Sequence, residues 1–156
     1  MAKPQLYHDL NSQLARLLDG ERDLIANAAN TAALIFQTLP GLNWAGFYFL
    51  QGDELVLGPF QGKPACVRIP TGRGVCGTAA ARRETVRVDD VRQFPGHIAC
   101  DTASQSEIVL PIVTADRLIG VLDLDSPSVA RFDAEDQAGL EKLVKTFVAA
   151  TQFNPG

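Results

Sequence analysis

The chain has 156 residues, 46% of them hydrophobic and 21% charged, and a formal net charge of −4 from 14 basic and 18 acidic residues. That length and composition predict one globular domain, residues 1–156, with room for a real hydrophobic core. The charge balance excludes a general pull toward nucleic acid or anionic membrane, and no apolar run reaches the roughly 18 residues of a membrane span.

The opening MAKPQLYHDLNSQL lacks the apolar core of a signal peptide, so a cytoplasmic protein is expected. Leu10, Leu14, Leu17 and Leu18 predict a helix over 8–18, interrupted by Gly20. A second helix is predicted over 22–39, with Leu24, Ile25, Ala28, Ala32 and Ile35 on one stripe and Pro40-Gly41 as its stop. NWAGFYFL (43–50) reads as a buried strand, and Gly52-Asp53 turns it into a second arm over 54–57. GPFQGKP then reads as a loop, and 66–69 as a short strand. TGRG (71–74) leads into a short helix over 75–83. A strand over 85–88 precedes a long loop, 89–103, broken by Pro95-Gly96. Two strands, 106–114 and 118–124, flank Ala115-Asp116, and Asp133 opens a final helix to about Phe153. Runs of strands between terminal helices predict an α+β fold: a central antiparallel sheet, helices on one face, and a loop-rich side facing away from them.

All three cysteines lie between positions 66 and 100, and an odd count argues against a static disulfide framework. Cys66, Cys76 and Cys100 are ten and twenty-four residues apart, which is not the spacing of a zinc knuckle, although His97 stands three residues before Cys100. Each could be a plain buried cysteine. Cys76 opens a predicted helix beside Arg73; both features lower a thiol pKa, so local electrostatics favour Cys76 as a nucleophile. TGRG itself lacks the pattern of a phosphate loop.

Asp123 and Asp125, two apart in VLDLDS, share one strand face. Either the strand end emerges into solvent there, or the pair meets a cation or donors. Glu107 depends on register. A plain two-residue turn at Ala115-Asp116 sets it across from Leu124, on the face away from the aspartates. A longer loop, or a bulge near Pro111, brings it to their side. Three carboxylates there could hold an ammonium and keep a proton for acid catalysis. Trp44 and Tyr48 also share a face, as core aromatics or as the wall of a small pocket.

NWAGFYFL, LGPFQGKPACVRIPTGRGVCGTAAARRETVRVDDV, FPGHIACDTASQSEIVLPI and LIGVLDLDSP with RFDAEDQAGLEKL together resemble the free methionine-(R)-sulfoxide reductases, single GAF-domain enzymes, from about Leu6 to Thr151. The resemblance implies a GAF-like fold and reduction of free L-methionine-(R)-sulfoxide. It implies Cys100 as nucleophile, Cys66 as resolving cysteine, and Cys76 as an auxiliary thiol able to pair with Cys66, which overrules the electrostatic choice. It places substrate-side carboxylates at Glu107, Asp123 and Asp125 and an aromatic wall at Trp44 and Tyr48. A Cys66–Cys100 disulfide needs Cα atoms within about 7 Å, so the 89–103 loop must fold over the segment carrying Cys66, as a lid would. Thioredoxin is the implied reductant, with no bound cofactor and no metal, and a homodimer through the terminal helices is expected. A non-catalytic GAF small-molecule sensor and a thiol redox switch without a substrate pocket are the alternatives.

Overall fold

The computed structural model describes residues 1–98 and 103–153. Helix α1 (Lys3–Leu17) starts at Lys3 rather than His8, because Pro4 suits a first helical turn, where its missing N–H is not needed. Helix α2 (Leu24–Thr38) starts at the Asp23 cap, whose carboxylate accepts the Ala26 N–H at 2.9 Å.

Strands β1 (Trp44–Gln51) and β2 (Glu54–Gly62) form the expected hairpin about Gly52, which turns at φ +66°. The GPFQG segment, expected as loop, continues β2. Its Pro59 is tolerated because the ladder slips between Gly46 and Tyr48, and because the next strand pairs only with Glu54–Val56. That strand, β3 (Arg68–Pro70), leaves Cys66 outside regular structure, contrary to the expected strand from Cys66.

Helix α3 (Gly74–Arg82), strand β4 (Val86–Val88) and a single 3-10 turn (Val91–Gln93) follow. Strands β5 (Ser106–Thr114) and β6 (Arg117–Ser126) are the long pair. Helix α4 (Ala134–Ala150) stops short of Phe153, and Asp133 and Asp136 cap each other's backbone N–H at its start.

The described strands form one sheet in the order β3-β2-β1-β6-β5-β4, with every pairing antiparallel, as the α+β reading expects. Period-2 alternation gives the sheet two apolar faces. Ala45, Phe47, Ile108, Leu110, Leu122 and Leu124 pack beneath the helices α1, α2 and α4. Trp44, Tyr48, Val109 and Val121 face the other way, against α3 and the loops. The helical layer is fastened by Asp136. It is 1% exposed and accepts from Tyr7 Oη (2.7 Å) and Lys3 Nζ (2.7 Å) of α1, and from Arg131 Nη1 (3.3 Å). No helix among the described residues is long and apolar enough to cross a membrane.

Register decides what the second face carries. Thr114 pairs with Arg117, so the β5–β6 turn is the two-residue one, with Ala115 and Asp116 both at positive φ. The ladder then slips between Ile112 and Val113: Val113 pairs with Leu118 but Ile112 with Gly120, so Ile119 is the extra residue. Beyond that bulge Glu107 stands opposite Asp125, and Val109 opposite Asp123. The bulge, not the turn, puts Glu107 on the face of the aspartates.

Candidate active site

Strand β1 lies at the middle of the sheet and supplies the aromatic wall. Trp44 pairs with Asp125 and Gly46 with Asp123, so Trp44 and the aspartates share the face away from the helical layer. A Cβ at Gly46 would come within 2.8 Å of the Trp44 ring; the glycine lets the indole lie against the strand. Trp44 stacks on Tyr48 (centroids 5.9 Å, interplanar 27°) and on Phe60 (5.2 Å, 16°). Its Nε1–H donates to Lys63 O at 3.1 Å, which fixes the ring's orientation. Tyr48 Oη donates to Cys66 O at 2.9 Å and so anchors the segment before β3. Cys66 is half-buried and disulfide-bonded.

Helix α3 brings Cys76 down onto these residues. It is a free thiol, 4% exposed, whose Sγ–H points at Glu107 Oε2 at 3.9 Å. Burial first, then the Asp123 and Glu107 charges, pushes this thiol well above its ordinary pKa. The sequence-based expectation that Arg73 and the helix start would activate Cys76 is therefore corrected. Removal from water and adjacent carboxylates outweigh a helix end whose arginine is solvated.

The carboxylates do not emerge into solvent as a strand end would. Glu107 is 7% and Asp123 5% exposed, and Asp125 is half-buried. Burial, followed by the Asp123 charge, raises the Glu107 pKa well above the carboxylate range; burial, followed by the Asp125 charge, does the same to Asp123. Both shifts favour the protonated carboxyl over the carboxylate, the form from which a proton can be donated. Tyr48, raised by burial and then by the Asp123 charge, stays a neutral phenol.

Together these residues bound a cavity of about 50 Å³. Trp44, Tyr48, Cys76, Glu107, Asp123 and Asp125 all line it, so the structure gathers those sequence-predicted residues at one place. Cys100 falls outside the described residues, as does most of the end of the loop expected to act as a lid; His97 and Ile98 of that loop line the cavity. Burial lowers the His97 pKa, favouring neutral imidazole. Cys76, Glu107 and Asp123 offer one sulfur and two oxygen atoms within 4.8 Å of one another and are the residues here that could hold a metal ion.

Arg73 was missed as a site residue. It is exposed at the cap position of α3 and lines the same cavity, the only arginine or lysine to do so among the described residues. The signal was the TGRG turn before the helix, which places Arg73 at a helix start, but the charge reads locally as an influence on Cys76.

The GAF domain family matches residues 13–150. The chain is 58% identical over 144 residues to a free methionine-R-sulfoxide reductase of Escherichia coli (strain K12), covering 92% of this chain and 87% of that protein. Among solved structures, a putative GAF sensor protein from Burkholderia vietnamiensis superposes with a TM-score of 0.94 at 60% identity, covering 97% of this chain and 96% of that one. The free methionine-R-sulfoxide reductase from Neisseria meningitidis, in complex with its substrate, superposes with a TM-score of 0.93 at 46% identity, covering 96% and 90%.

Proposed function

The chain belongs to the GAF-domain family of free methionine-R-sulfoxide reductases, and on that premise we propose that its cavity binds free L-methionine-(R)-sulfoxide and reduces it to methionine through a cysteine sulfenic acid and a disulfide. The observation that carries this reading is the convergence of Glu107, Asp123 and Asp125 beneath the fixed indole of Trp44, in one cavity.

The substrate's methyl group lies against Trp44 and its ammonium among the carboxylates. Cys100 thiolate attacks the sulfoxide sulfur while a protonated carboxyl, Glu107 foremost, hydrogen-bonds to and protonates the departing oxygen. The S–O bond passes from methionine to cysteine: the substrate sulfur is reduced by two electrons, Cys100 becomes a sulfenic acid, and methionine leaves. The Cys66 thiol then condenses with the sulfenic acid, forming the S–S bond and expelling water. An external dithiol, thioredoxin, returns both cysteines to thiols by exchange, so no bound cofactor is needed. The disulfide-bonded state of Cys66 beside a free, buried, high-pKa Cys76 supports these roles. Enclosure of the carboxylates supports selection of a free amino acid over a peptide. The cytoplasm, where thioredoxin is reducing, is the proposed compartment, and a homodimer is the proposed assembly.

The test is thioredoxin-coupled turnover of free L-methionine-(R)-sulfoxide, with Cys100→Ser alongside. Turnover by the wild type and none by the variant is expected. An inactive wild type sinks the enzyme reading in favour of a sensor, and an active Cys100→Ser removes the nucleophile assignment.

A further inference from the structure

The mechanism leaves Cys76 without a step, yet its thiol is buried against two carboxylates brought from different strands. Cys76 of α3, Glu107 of β5 and Asp123 of β6 are each more than nine-tenths buried, and one donor atom from each lies within 4.8 Å of the others. Asp123 also lines the cavity and has a buried oxygen, Oδ1, with no hydrogen-bond partner among the described residues. A buried carboxylate oxygen without a donor is costly unless a proton or a cation meets it.

We propose that Cys76, Glu107 and Asp123 form a binding site for a thiophilic divalent cation, zinc above all, with the fourth position open to the cavity. The donor set argues for the class. One sulfur and two carboxylates suit zinc or cobalt, whereas magnesium and calcium take oxygen alone. The geometry is close to what such an ion requires. Metal–ligand bonds of about 2.0–2.3 Å place tetrahedral donors roughly 3.5 Å apart; Cys76 Sγ stands 3.9 Å from Glu107 Oε2 and all three donor atoms lie within 4.8 Å of one another, so binding draws the donors inward by about an ångström or less. The cation would replace protons held in the cluster, leaving the thiolate and both carboxylates coordinated and satisfying Asp123 Oδ1. Occupancy also fills the place given above to the substrate ammonium, so the ion competes with substrate; that consequence, though not the site itself, rests on the reductase reading.

Cobalt(II) is the probe, since a thiolate bound to it gives a charge-transfer band in the near ultraviolet. The full-length Cys66→Ser/Cys100→Ser chain keeps Cys76 as its only thiol. We expect the band to saturate at one equivalent of cobalt and to disappear on adding one equivalent of zinc. Adding Asp123→Asn or Glu107→Gln to that chain should weaken binding roughly tenfold or more. Both changes are near-isosteric and replace a buried carboxyl by a neutral amide, so folding should be retained, and circular dichroism checks it. No band at stoichiometric cobalt, or an affinity indifferent to both substitutions, overturns the site. Free L-methionine-(R)-sulfoxide should weaken the apparent cobalt affinity, and an unchanged affinity at saturating substrate overturns the competition. Failure of turnover in the wild type bears on the reductase reading alone, because the cobalt titration needs no turnover.

Discussion

Glu107 on β5 stands directly across the ladder from Asp125 on β6, one position away from the Leu124 pairing that an unbroken register would impose. In the unbroken register its carboxyl would point into the apolar layer beneath α1, α2 and α4. The single extra residue at Ile119 instead turns that carboxyl toward the cavity, where the proposed reaction needs a proton donor.

The first prediction follows from that placement. Glu107→Gln keeps the shape and removes the transferable proton, so kcat should fall by about a hundredfold or more, in the range that a positioned general acid supplies. Single-turnover reduction of free methionine-(R)-sulfoxide under excess enzyme measures this step apart from thioredoxin recycling. A variant within a few-fold of wild type would move the acid role to an aspartate.

Stability should depend on pH through the same residue. Burial and the neighbouring Asp123 charge raise the Glu107 pKa well above its ordinary 4.5. Above the ordinary value the folded protein therefore holds a proton that the unfolded chain releases. The stabilisation is complete below that value and is lost as pH climbs through the folded pKa, at up to about 1.4 kcal/mol per pH unit. Thermal unfolding from about pH 5 upward should show the wild type losing Tm faster than Glu107→Gln. Parallel Tm profiles would contradict the raised pKa.

Arg73 offers a test of how the cavity selects free amino acids. Carboxylates on the sheet suit the substrate's ammonium, and the exposed Arg73 at the start of α3, lining the same cavity, suits its carboxylate. Arg73→Ala should raise KM by about tenfold, the scale of one partly exposed charge-assisted hydrogen bond, with a smaller change in kcat. Preference for free methionine sulfoxide over its C-terminal amide should shrink in parallel. An unaltered preference would take Arg73 out of substrate binding.

A further prediction concerns the helical layer. Gly139 of α4 faces the ring of Tyr7 so closely that a Cβ at 139 would overlap it. Tyr7 cannot retreat, because its hydroxyl donates to the buried Asp136 at 2.7 Å. Gly139→Ala improves helix propensity by about 1 kcal/mol, but overpacking and strain on the Tyr7–Asp136 bond should outweigh this and leave a net loss of about 1–3 kcal/mol. Urea denaturation of the variant measures it, and a stabilised Gly139→Ala would show that the layer yields.

The sequence by itself determined the elements and their faces. The leucines of α1, the Ala-rich stripe of α2 and the alternation through NWAGFYFL and VLDLD each report burial over a few residues, because helices and strands repeat with short, fixed periods. Asp133 and Asp136 announced α4 because capping is local. Motif resemblance named the thiols and carboxylates. GPFQG was misread because Gly and Pro signal loops wherever a bulge or an unpaired strand edge does not rescue them.

What only the tertiary structure decided depends on contacts between distant segments. The Ile119 bulge chose between two registers that the residues left open, and thereby the face of Glu107. The thiol of Cys76 looked activated beside Arg73 and a helix start, yet burial against Glu107 and Asp123 raises its pKa. Desolvation is set by what folds over a group, and no window of sequence around Cys76 contains the two strands that do so.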